Sequence, residues 1–86
     1  MENKVLVKLI FPELDRDFDV FIPVNEIIWK IRLLVIKSIS DLCSVRLSAD
    51  KYVLIGKSTG KVYGNNEIVI DTDIKNGTEI ILIPIK

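Results

Sequence analysis

The sequence predicts an α+β fold in which a mixed sheet of short strands packs on one helix. Three observations lead there. Residues 24–40, VNEIIWKIRLLVIKSIS, carry apolar side chains at helical spacing over a length that suits a helix. Ahead of them, two runs of alternating apolar residues flank a short Pro- and Asp-rich connection, the pattern of an antiparallel hairpin. At the far end, a nearly all-apolar run at 79–85 follows the tight-turn pair Asn76-Gly77 and suits a central strand.

In chain order, the first strand is expected over residues 4–11, with Val5, Val7, Leu9 and Phe11 inward. Residues 12–17, PELDRD, form the turn. The second strand covers 18–22, with Phe18, Val20 and Ile22 inward and Asp19 and Phe21 outward. The helix follows, with Pro23 just before it, Asn25 as the expected N-cap and Glu26 at the positive end of the dipole. Its β-branched residues would suit a strand equally well, but a strand of that length is improbable in a small chain.

Ile27, Ile28, Ile31, Leu34, Val35, Ile39 and Leu42 form the expected core stripe of the helix. Trp29, Leu33 and Ile36 form a second stripe, open to two readings: a loop covers it, or a partner does. Leu42, Val45 and Leu47 are expected to tuck under the helix end. The third strand, 52–55, is apolar throughout and leaves its register open. GKSTG at 56–60 is a turn and 61–63 a short fourth strand. Val69 and Ile74 are expected in the core, and 79–85 closes the sheet with Ile80 and Leu82 inward and Ile81 and Ile83 outward. A hairpin, a right-handed helical crossover and a last strand parallel to the first make the β-grasp, or ubiquitin-like, arrangement, expected as one domain over residues 1–86.

Composition narrows the function. Twelve basic and twelve acidic residues cancel, and no basic cluster marks the chain for nucleic acid or an anionic membrane. Hydrophobic residues at 49% fit a folded domain. The single cysteine, Cys43, excludes an internal disulfide and fits a reducing compartment. The N-terminus lacks the uncharged apolar core of a signal peptide, and no apolar run reaches bilayer-spanning length. A cytoplasmic protein without membrane insertion is therefore expected.

Catalytic and cofactor chemistry finds little footing. The chain has no histidine, and one cysteine makes no zinc site, so no catalytic, metal or cofactor residue is assigned. Gly56-Lys57-Ser58-Thr59 imitates the end of a phosphate-binding loop, but Lys51 stands where the earlier glycine belongs and no helix follows. Asp15, Asp17, Asp71 and Asp73 read as turn residues without a calcium-loop pattern.

The run FDVFIPVNEIIWKIRLLVIKSI, residues 18–39, resembles the small YukD/EsaB proteins of type VII secretion systems. It shares an aromatic-Asp opening, alternating apolars, Pro23 and an Ile/Leu/Val-rich helix. Residues 60–83 continue the likeness through Asn66, Val69-Ile70-Asp71, Ile74 and Asn76-Gly77, while 41–59 departs from it. The resemblance implies a ubiquitin-like fold and a non-enzymatic, cytoplasmic accessory role in protein export in Gram-positive bacteria, with protein components of the secretion machinery as partners. The alternative is a ubiquitin-like carrier for sulfur transfer or conjugation, which needs a terminal Gly-Gly where this sequence reads Ile83-Pro84-Ile85-Lys86.

Two outward apolar sets are the expected partner-binding or self-association residues: Leu6, Ile10, Phe21, Ile81 and Ile83 on the sheet, and Trp29, Leu33 and Ile36 on the helix.

Overall fold

Strand β1 (Lys4–Phe11) turns through a 3-10 segment at Pro12–Leu14 into β2 (Arg16–Pro23), and the two pair antiparallel along their whole length, Val5 opposite Ile22 and Leu9 opposite Phe18. This is a computed structural model, and it describes residues 3–85. Asp15, in the left-handed region at φ 54°, closes the turn with its N–H on the Pro12 carbonyl. The crossover helix α1 (Ile28–Cys43) leads back to β3 (Tyr52–Gly56), and β4 (Glu79–Pro84) completes the sheet. The strand order is β2-β1-β4-β3, with β4 central, parallel to β1 and antiparallel to β3. The expected parallel pairing of first and last strands is thus present.

The core forms where the inward residues of all four strands meet α1. Val7, Leu9, Phe11, Leu54, Ile80 and Leu82 are buried under Ile28, Ile31, Val35 and Ile39. Phe11 and Tyr52 meet edge to face, 5.6 Å between centroids at 87°. Val69 and Ile74 also lie in this core. The register of β3, open in the sequence, is settled by its pairing: Tyr52, Leu54 and Gly56 face inward, Val53 and Ile55 outward.

The helix departs from expectation at its start. It begins at Ile28, and Asn25 does not cap it. Residues 24–27 instead run alongside the 65–70 segment. Val69 and Ile70 N–H groups donate to the carbonyls of Glu26 and Val24, and the N–H groups of Ile28 and Trp29 donate to the carbonyls of Glu67 and Asn65. Backbone pairing satisfies first-turn donors that a side-chain cap would otherwise take.

The buried stripe is also rotated. Leu34 and Leu42, expected in the core, are 55% and 66% exposed, whereas Ile36, expected on the outer side, is buried at 2%. Chain from 49 and 65 lies over the Ile36 side of the helix, where Arg32 donates to the Ala49 carbonyl and the Asn65 side chain. Among the described residues nothing comparable covers the Leu34 side. Val45 and Leu47 are half-buried, so of the three residues expected beneath the helix end only Leu42 is open. The fourth strand expected at 61–63 is reduced to one antiparallel bridge, Ile55 with Val62, made by Gly56 N–H to Lys61 O and Tyr63 N–H to Leu54 O.

Candidate protein-interaction surfaces

The ladder registers sort the outward side chains of the sheet into rows. One row holds Phe21 and Leu6, directly opposed on β2 and β1. The next holds Asp19, Lys8 and Glu79, and Glu79 meets Lys57 at 3.4 Å. The third runs Asp17, Ile10, Ile81, Ile55, with Val62 bridged to its end. Ile83 and Val53 oppose each other in the fourth.

The five expected sheet residues therefore do not form one patch. A charged row separates Leu6 and Phe21 from Ile10, Ile81 and Ile83. The larger group gains Val53, Ile55 and Val62, none of which the sequence reading placed there. The uniformly apolar run at 52–55 hid the alternation that would have marked Val53 and Ile55. The result is an apolar band crossing β1, β4 and β3, flanked on one side by Lys8, Glu79 and Lys57. Of the expected helix set, Trp29 and Leu33 stand open at 40% and 50% exposure, and buried Ile36 leaves it.

Elsewhere the polar chemistry is structural. Tyr52 donates its hydroxyl to Glu13, and Tyr63 donates to Asp73 at 2.7 Å. Burial, reinforced by the carboxylate each phenol faces, pushes Tyr52 up to about 12 and raises Tyr63 further. Gly56, Lys57 and Ser58 of the GKST turn line a polar hollow of about 530 Å³ with Asp73, Lys75 and Glu79. There Lys57 is paired with Glu79 and Tyr63 holds Asp73, an arrangement that balances charge without gathering it for an anion. Among the described residues no cluster of three or more His, Cys, Asp or Glu is placed to hold a metal, and no helix is long and apolar enough to cross a membrane.

Solved structures share this arrangement of strands and helix. An N-terminal ubiquitin-like domain determined in solution matches at 21% identity over 100% of this chain and 79% of that one, with a TM-score of 0.74. Ubiquitin from Caldiarchaeum subterraneum matches at 15% identity over 98% and 96%, TM-score 0.74. The fold is the ubiquitin-like β-grasp. A ubiquitin-like domain of an Arabidopsis thaliana protein is similar too, at 14% identity over 95% of this chain and 78% of that one, TM-score 0.72. No family model and no curated protein matches this sequence.

Proposed function

We propose that this ubiquitin-like chain is a non-enzymatic protein-docking module, folded as one domain over residues 1–86, and that it serves a type VII secretion system as a cytoplasmic accessory component. The observation that carries the docking role is the row Ile10, Ile81, Ile55 and Val62 on the outer sheet face. Large aliphatic side chains held side by side on a rigid sheet give an interface core, and the charged row beside them gives part of a polar rim. The link to type VII secretion rests on the resemblance of residues 18–39 and 60–83 to YukD/EsaB proteins. The partners are then protein components of the secretion machine.

The test is genetic. Deleting the gene should reduce export of the system's small helical substrates. The parent gene should restore export and Ile81→Lys should not, at equal protein levels and with an unchanged circular dichroism spectrum. Full restoration by Ile81→Lys would remove the sheet face from the function, and normal export after deletion would remove the secretion assignment.

A further inference from the structure

The two edges of the sheet are treated differently. The edge of β3 is covered by its own chain, through Gly56 N–H to Lys61 O and Tyr63 N–H to Leu54 O. Among the described residues the edge of β2 has no such cover. Val24 N–H donates to Asn3 O, so the ladder alternation turns residues 18, 20 and 22 of β2 toward β1 and Asp17, Asp19 and Phe21 away from it. Among the described residues, no backbone group pairs with those three on the open side. Pro23, with no N–H to give, ends the free edge.

Beside this edge lies an apolar groove. Two adjoining hollows of about 250 and 330 Å³ run between β2 and α1. Val20, Val35 and Ser38 line both; Ile31 and Leu34 extend one, Phe18 and Leu42 the other. This explains why Leu34 and Leu42 are open and why Phe18 and Val20 are only half-buried. Arg16 marks the end of the groove, its guanidinium 5.1 Å from the Phe18 ring and 3.2 Å from Cys43 Sγ.

We infer that the groove between β2 and α1 takes an extended segment of a partner protein, added as a fifth strand, with apolar and basic residues in alternation. The unpaired backbone groups of Asp17, Asp19 and Phe21 select an extended chain. The hollows take its inward apolar side chains. Its outward side chains lie beside Asp17 and Asp19, which favour Lys or Arg across the strand pair. From Asp17 to Pro23 the edge spans about 20 Å at roughly 3.3 Å per residue, room for about six residues. A second copy of this chain is the poorer occupant, because any antiparallel β2–β2 register that keeps the outward faces together sets Asp17 and Asp19 against acidic or apolar residues and never against a basic one. This surface is distinct from the outer sheet face and does not depend on the secretion assignment.

The test uses a capped synthetic peptide, Lys-Val-Lys-Ile-Lys-Val-Lys, titrated into the labelled chain and followed by amide chemical shifts. Saturable shifts should centre on Asp17, Asp19 and Phe21. Two isomers, N-methylated on three amides of one or the other alternating set, should differ in affinity by at least about tenfold, since only one set faces β2. The same peptide with Glu for Lys should bind at least about tenfold more weakly at low salt. Leu34→Glu, at an exposed position, should weaken binding about tenfold, and Ile81→Lys on the other face should leave it unchanged. No saturable binding, equal affinity of the two isomers, or shifts away from β2 would overturn the inference. A concentration-dependent dimer that protects the Asp17, Asp19 and Phe21 amides would assign the edge to a second copy and overturn it as well.

Discussion

The Leu6 amide donates to the Asn76 side-chain oxygen at 2.8 Å, and the Leu6 carbonyl accepts from Gly77 N–H at 2.8 Å. The Asn76-Gly77 turn thereby grips β1 just before the parallel ladder begins at Lys8 and Glu79. That ladder is short, so the turn supplies a clamp at its mouth. Asn76→Ala should cost about 0.5–1.5 kcal/mol, the net worth of an ordinary hydrogen bond, and should speed hydrogen exchange at the Leu6 amide. Gly77→Ala, at φ 89°, should cost about 1–2 kcal/mol for its left-handed backbone, with open space around the new methyl group. Urea titrations of both variants check these values.

Ile31 and Leu34 lie one turn apart on the stripe the sequence assigned to the core, yet Ile31 is 3% exposed and Leu34 55%. Ile31→Ala should destabilise by about 2–5 kcal/mol, because it leaves a cavity between helix and sheet. Leu34→Ala should stay within about 0.5 kcal/mol. Equal losses in chemical denaturation would contradict the helix orientation described above.

The two buried tyrosines set an alkaline limit. Tyr52 is raised from the ordinary 10.0 to about 12, and Tyr63 is raised as well, each by burial first and then by its carboxylate partner. An acid whose pKa is raised by folding contributes its full stability below the unfolded value. Above pH 10 the unfolded chain gives up these protons more readily than the folded one, so stability falls between about pH 10 and 12. Thermal melts across that range should show the decline, and Tyr52→Phe should make it shallower. Phenolate absorbance in the parent should rise together with unfolding, not ahead of it.

The sequence made the fold readable because local patterns agreed with the global one. The alternation in 4–11 and 18–22, the one long helical segment and the Asn76-Gly77 turn each agreed with one placement in the fold. It was less readable where tertiary pairing replaced local chemistry. Asn25 is a good cap by composition, but carbonyls of Glu67 and Asn65, some forty residues away, took that role. Helical spacing alone could not rotate the stripe toward Ile36, since the cover at Ile36 comes from chain near 49 and 65. The candidate surface was legible in half: Ile10, Ile81 and Ile83 follow from alternation, whereas Val53 and Ile55 needed the register with β4.

The most direct measurement of the docking role is the affinity of the purified chain for the cytoplasmic domains of type VII secretion components, parent against Ile81→Lys. Amide shifts in the parent complex should centre on Ile10, Ile55 and Ile81, and Ile81→Lys should weaken binding by at least about tenfold, about 1.4 kcal/mol, while keeping a folded spectrum. Parent-like affinity in Ile81→Lys, or a parent chain that binds none of these domains, would contradict the account.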